Sequence, residues 1–179
     1  GTVNGATSAS GQIDGAANFD RSNSEYISVG NLDGYNGITA LSYVNLDNTA
    51  DDQMIFNQWD FGNNDASWVT RYDAGNNQFA TDVALSGGDG DNIYGGSVSS
   101  DTWYQVALTW SASSNTERIW VDGSNPNSET ESGSSLFDGG SEVAIGRQSD
   151  ASNYMDGQVD SARLYSEEKD SEWLTADYD

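Results

Sequence analysis

The sequence predicts an all-β domain built as a sandwich or jelly roll, and three observations carry that prediction. Short runs of alternating apolar and polar residues recur along the whole chain, separated by turn-forming clusters, as expected for many short strands in layered sheets. The composition fits, with 20 glycines and one proline in 179 residues, a length that makes one domain with a single core. The third observation is the stretch Asp101 to Gly123, in which Trp103 to Trp110 and Arg118 to Val121 flank the polar connection SASSNTE. In the first run Tyr104, Val106, Leu108 and Trp110 fall on one face, and Trp103, Gln105, Ala107 and Thr109 on the other. Large side chains on both faces place this hairpin in the middle of a sheet that is covered on both sides. Asp122-Gly123 then supplies a turn whose second residue takes positive φ without steric cost.

The remaining elements follow in order. Gly1 to Gly15 is small and polar and reads as an edge segment. Ala17 and Phe19 alternate before a polar corner at Asp20 to Glu25, after which Tyr26 to Val29 resumes a strand. Leu32 to Gly37 is a loop containing Asp33-Gly34, and Ile38 to Leu46 is a strong β run. Gln53 to Trp59, Trp68 to Tyr72 and Gln78 to Val83 read as strands, the first two joined by the turn DFGNNDAS. Ser86 to Gly96 reads as loop. After the central hairpin, SNPNSETESGSS reads as a long polar loop, Glu142 to Arg147 as a strand, and Gly157 to Tyr165 as the last strand. The tail holds one short helix, with Asp170 or Ser171 as N-cap and Leu174 and Tyr178 one turn apart.

Charge is the most informative global property. The chain carries 29 acidic residues against six basic ones, a net charge of −23, and Lys169 is its one lysine. So dense an anionic surface repels itself in dilute buffer, whereas at molar salt the Debye length falls to about 3 Å and the repulsion is screened. The acidic residues are interleaved with aromatic runs, so the pattern reads as a folded halophilic protein rather than a disordered tail. The absence of His and Cys excludes an imidazole base, Ser-His-Asp and Cys-His pairs, disulfides and the usual zinc sites. Metals meet only oxygen ligands, which suit Ca²⁺ or Mg²⁺. An acidic surface opposes nucleic-acid binding, and no apolar run is long enough to insert into a membrane. With no signal peptide visible and Gly1 at its start, the chain reads as one domain, residues 1–179, cut from a larger protein.

Five segments carry a family resemblance. They are Gly11 to Asp20 with Glu25-Tyr26-Ile27, Trp103 to Thr109 (WYQVALT), Ile119 to Gly123 (IWVDG), Ala144 to Arg147 (AIGR), and Gly157 to Tyr165 (GQVDSARLY). In this order they resemble laminin G-like domains of the concanavalin A-like lectin/glucanase superfamily, across nearly the whole chain. The resemblance implies a two-sheet antiparallel jelly roll with a concave and a convex face. Arg21 stands where a Gly usually follows Phe-Asp, and Tyr43 where the third strand usually has Trp. The resemblance also implies that Asp160 is a ligand of a structural Ca²⁺ beside the Phe-Asp corner. Asp20, Asn23 and corner carbonyls would complete the shell of six to eight oxygens. The alternative is that Asp160 caps backbone amides of a neighbouring loop.

Other constellations are weaker. A retaining glycosidase needs two close carboxylates, which the related glucanases place on one strand with an E-x-D-x-x-E spacing; that motif is absent here, and Glu117, Glu129, Glu131 and Glu142 fall in expected loops or at strand ends. Asp89-Gly90-Asp91-Asn92 begins like an EF-hand loop, but Ile93 replaces a ligand, and this loop and the trio Asp150, Asn153 and Asp156 read as solvated turns. A sugar stacks its C–H face on an aromatic ring while amides and carboxylates bond its hydroxyls. Trp59, Asp60, Trp68, Arg71 and Tyr72 form the richest such group; Trp120 is a further ligand-facing candidate, and Trp103 and Trp110 are assigned to the core. The first functional expectation is therefore a non-catalytic module that binds carbohydrate or glycoprotein, displayed on or secreted from a halophilic cell. The rivals are an adhesive or structural domain contacting proteins or other domains of its parent, and an unusual glycosidase.

Overall fold

Alternation turns one set of side chains inward on each strand, and the computed structural model shows where those sets meet. It describes residues 1–32, 34–87 and 90–179; Asp33 of the Asp33-Gly34 turn and Asp89 of the EF-hand-like loop lie outside them. The first strands are β1 (Thr2–Asn4), β2 (Thr7–Ser10), β3 (Gly15–Phe19), β4 (Tyr26–Gly30), β5 (Gly37–Leu46), β6 (Gln53–Asp60) and β7 (Asp65–Asp73). They are followed by β8 (Gln78–Gly87), β9 (Ile93–Ser97), β10 (Trp103–Ser111), β11 (Thr116–Val121), β12 (Ser124–Thr130), β13 (Val143–Ile145) and β14 (Gly157–Tyr165). The helix α1 spans Ser171–Tyr178. One sheet has the order β1-β4-β13-β6-β7-β8-β9 and the other β12-β11-β10-β5-β14-β3-β2. The two-sheet antiparallel jelly roll is the fold the sequence predicts.

The core lies between the sheets. Phe56, Trp68, Tyr72, Phe79 and Val83 of the first sheet pack on Ile38, Val44, Val106, Leu108 and Trp110 of the second. The central hairpin is β10 and β11, with Ala107 opposite Trp120 and Thr109 opposite Arg118. Asp122 and Gly123 both take positive φ, 50° and 69°, matching the twist of the strands they join. On the outer face of the second sheet Leu41, Ala107 and Trp120 meet Leu174 of α1. Asp170 caps that helix, accepting the Trp173 N–H at 2.8 Å, and Asp177 clamps Arg163 through two bonds of 2.6 and 2.7 Å.

Several expectations need correction. Trp103 is half-buried rather than in the core, because it starts β10 at the end of the sheet opposite Asn45. The segment Ser124–Thr130, read as loop, is the edge strand β12; its side chains are almost all exposed, so it shows no alternation. Part of the 86–96 loop is the strand β9. Because β11 begins at Thr116, Glu117 falls inside a strand and is fully buried between the sheets. Its carboxyl group accepts the Thr81 hydroxyl at 2.7 Å and the Val83 N–H at 3.2 Å, joining β11 to β8. Burial pushes its pKa up to about 8, with Thr81 and Val83 opposing and Glu131 and Glu129 adding to the rise.

All six cations are paired: Arg21 with Asp51, Arg71 with Asp73, Arg118 with Glu168, Arg147 with Glu142, Arg163 with Asp177, and Lys169 with Glu167. These pairs leave the net charge of −23 uncompensated. The melting temperature is therefore expected to rise steeply between 50 mM and 2 M KCl as screening removes self-repulsion. Equal melting temperatures at the two salts would refute that account.

Candidate functional site

Trp68 and Tyr72 turn into the core, so period two sends Val69 and Arg71 of β7 to the outer face of the first sheet. Register places Arg71 beside Met54 and Val69 beside Asn57 on β6, while bulges near Ile55 and Gln58 re-aim the end of that strand. Met54, Trp59, Ala66, Val69 and Ala84 form a separate apolar cluster on this face. Met54, Trp59 and Val69 are the floor of a groove of about 410 Å³, a volume in the range of small-ligand sites.

Phe61 forms the lip of the groove and is 50% exposed. The reason is local. Asp60 caps the short 3₁₀ turn Phe61–Asn63, accepting the Asn63 N–H at 3.2 Å and the Asn63 side-chain amide at 2.7 Å. That turn lifts Phe61 off the sheet. The opposite wall is the loop after β13, tied down by Ser149 N–H to Trp59 O at 3.1 Å and Met54 N–H to Asn153 O at 3.0 Å. It brings Gln148, Asp150 and Asn153 to the groove, where the buried Gln148 amide donates to Asp150 at 3.0 Å and accepts from the Asn153 amide at 3.1 Å. Arg71 donates to Asp73 at 3.0 Å and, through Nη2 and Nε, to Asn92 Oδ1 at 3.0 and 3.3 Å. Burial raises the pKa of Asp73, but the Asn76 amide and the Arg71 guanidinium outweigh it and hold the carboxyl group below its ordinary value.

The structure gathers some of the expected site residues and disperses others. Trp59 and Arg71 line the groove, Trp59 as floor at 5% exposure, and Asp60 holds the lip from beneath. Trp68 and Tyr72 do not belong to it. Both point between the sheets, where Trp68 packs edge-on against Phe56 at 4.9 Å and the Tyr72 hydroxyl bonds Asn77 Oδ1 at 2.9 Å. Trp120 is likewise held under α1, donating its ring N–H to Thr109 at 3.0 Å. Sequence reasoning missed Phe61 and Gln148, and it read Asn92, Asp150 and Asn153 as solvated turns, whereas all three line the groove. The DFGNN turn was a signal for the first, since an aromatic inside a capped turn has no strand face to hide on.

The residues expected to share a calcium ion do not form one shell. Asp160 accepts the Ile13 N–H at 2.8 Å and the Ser161 hydroxyl at 2.9 Å. Burial raises its pKa, but the amides of the 12–14 loop and Ser161 outweigh it and hold the group low. Asp20 instead caps the turn Arg21–Asn23, bonding Ser22 N–H at 2.8 Å and the Asn23 side chain at 2.8 Å. Register explains the separation: Gly157 lies opposite Phe19 and Val159 opposite Ala17. Asp20 therefore sits beside Asp156, four residues from Asp160, or roughly 13 Å along the strand at about 3.3 Å per residue. The donor set does not fit a metal held by all three. Elsewhere Asp91, Glu129 and Glu131 bring carboxylate oxygens within 4.8 Å of one another. Burial and the charges of Glu129 and Asp91 raise the pKa of Glu131, as like charges near one another must.

The laminin G family model of the concanavalin A-like lectin/glucanases superfamily matches residues 19–174. The chain belongs to this family. Solved structures share the laminin G-like fold at low identity. Domain 4 of AbnA, an extracellular arabinanase of Geobacillus stearothermophilus solved with arabinotriose, superposes with a TM-score of 0.72 at 16% identity. That match covers 98% of this chain and 81% of the other. A Bacteroides ovatus protein assigned to carbohydrate binding gives 0.70 at 20% identity over 89% of this chain. The binding domain of Paraclostridial Mosquitocidal Protein 1 gives 0.74 at 12% identity over 99%. The laminin G-like chain spans 45% and 46% of these last two structures. A sequence comparison with curated proteins found no match.

Proposed function

We propose that this laminin G-like domain is a non-catalytic, lectin-like module of a secreted or cell-surface protein, and that it binds carbohydrate in the groove between Phe61 and the Gln148 to Asn153 loop. The observation that carries this reading is the pairing of an exposed ring with amides across an apolar floor. A sugar ring stacks a C–H face on Phe61, and Asp150 and the exposed Asn153, both held in place by the buried Gln148 amide, bond its hydroxyls. Two fold neighbours support the reading, the arabinanase domain solved with arabinotriose and the Bacteroides ovatus protein. A hydrolytic role needs a proton-holding carboxyl group at the substrate. Of the carboxyl groups whose pKa is raised, Glu117 is sealed between the sheets, and Glu131, Asp122 and Asp47 do not line the groove. No helix among the described residues is long and apolar enough to cross a membrane.

Phe61→Ala is the test. Because the ring is half exposed, its removal is expected to leave the melting temperature within a few degrees while weakening glycan binding by about twofold to tenfold, the scale of a lost stacking contact of roughly 0.5–1.5 kcal/mol. Binding is read by calorimetry against an oligosaccharide panel in molar KCl. Unchanged affinity in a folded variant would remove Phe61 from the site and the groove with it.

A further inference from the structure

We propose that the groove selects uncharged glycans and rejects those bearing carboxylate groups; this rests on the carbohydrate-binding reading above and concerns the same site. Among the described residues that line the groove, Arg71 is the one cation. Its charge is already met: Nη1 donates to Asp73, while Nε and Nη2 both donate to Asn92 Oδ1. The side chain is only 14% exposed, and its partner Asp73 keeps a lowered pKa, so the pair stays ionised and mutually neutralised across the neutral range.

The rim has the opposite sign. Asp52 and Asp150 both line the groove. Asp52 is fixed by the Ala74 N–H at 2.9 Å, and Asp150 by the Ser152 N–H at 3.1 Å and the Gln148 side-chain amide at 3.0 Å. These bonds come from neutral donors, which orient a carboxylate without cancelling its charge. A uronate entering the groove therefore meets two fixed negative charges, while the cations nearby are already paired, Arg71 with Asp73 and Arg21, which also reaches the Asp52 backbone carbonyl at 3.5 Å, with Asp51. Like charges forced together across an interface cost several kcal/mol. A neutral sugar presents hydroxyls, which donate to Asp52 and Asp150 and accept from the second amide hydrogen of Asn153, the first being held by the Gln148 carbonyl oxygen at 3.1 Å. In dilute buffer the chain's overall charge of −23 acts in the same direction at longer range, whereas at molar salt only the rim carboxylates in contact with the ligand act.

The experiment compares each neutral oligosaccharide of an arabino-, xylo-, gluco- and galacto-series with the same oligosaccharide after oxidation of its primary alcohols to carboxylates. Xylose, which lacks a primary alcohol in the ring form, is instead compared with its glucuronate-decorated chain. Calorimetry in 1 M KCl is expected to favour the neutral member by about tenfold or more, a difference of about 1.4 kcal/mol or above. The double variant Asp52→Asn, Asp150→Asn keeps an acceptor at each position and is expected to narrow that ratio to about threefold or less. Should the variant fail to fold, the wild type carries the test, because the ratio must shrink as KCl rises from 0.5 to 3 M. Anionic members binding as tightly as neutral ones, or a ratio indifferent to both the rim charges and salt, would overturn the selectivity while leaving carbohydrate binding intact. Absence of binding to every member would overturn both.

Discussion

Replacing Trp68 by alanine is expected to cost about 3–5 kcal/mol of stability, the range for large aromatic-to-alanine changes in a packed core. The ring is fully buried, stands edge-on to Phe56 at 4.9 Å with an interplanar angle of 85°, and belongs to the cluster that joins the two sheets. Nothing in that position can collapse easily, because Phe56, Tyr72 and Val83 are themselves held in paired strands. The indole Nε1 has no acceptor among the described residues. Trp68→Phe therefore removes an unsatisfied buried donor together with ring volume, and its cost should be well below that of the alanine variant. Denaturant unfolding at fixed salt measures both. A Trp68→Ala protein of near wild-type stability that had lost glycan affinity would return Trp68 to the groove and displace Phe61 as its lip.

The second large effect concerns pH. Glu117 holds its proton in the folded state up to about pH 8, whereas an unfolded glutamate releases it near 4.5. Below the unfolded value the two states bind the proton alike. Between the two values the unfolded chain is ionised and the folded one is not, so stability falls as pH rises, by up to about a factor of ten in the folding constant per unit. The decline levels off once pH passes the folded value. Glu117→Gln retains the shape and an acceptor for the Val83 N–H while deleting the ionisation, so its stability should be nearly flat from pH 5 to 9. Melting temperatures of both proteins over that range, at constant high salt, decide the matter. Parallel curves would mean that Glu117 is ionised in the fold and that the Thr81 and Val83 bonds outweigh its burial.

How much was legible in the sequence depended on whether a residue's role is written in its immediate neighbours. The strand Trp103–Ser111 alternates between two covered faces, and Asp122-Gly123 has the chemistry of a tight turn, so the central hairpin could be read directly. β12 could not, because both of its faces meet solvent and its side chains carry no period. Glu117 misled for the opposite reason: a glutamate beside a polar connection looks solvated, and only the packing of β11 against β8 of the other sheet makes it a core residue. At the site, Trp59 and Arg71 were found because aromatic and polar residues crowd together there. The far wall was not, because the loop carrying Gln148 and Asn153 reaches Met54 and Trp59 through backbone bonds between segments far apart in the chain. Trp68 and Val69 differ by one position, and which of the two faces the core is decided by register with β6 and β8 rather than by either residue.

Helix α1 gives the sandwich a front and a back. With Leu174 seated against Leu41, Ala107 and Trp120, and Asp177 clamped by Arg163, the outer face of the second sheet is covered over β5, β10 and β11. The groove opens on the other sheet alone. A glycan coat would thus meet each copy from a single direction, and copies strung along one polypeptide would gain avidity only where the linkers let their grooves point the same way.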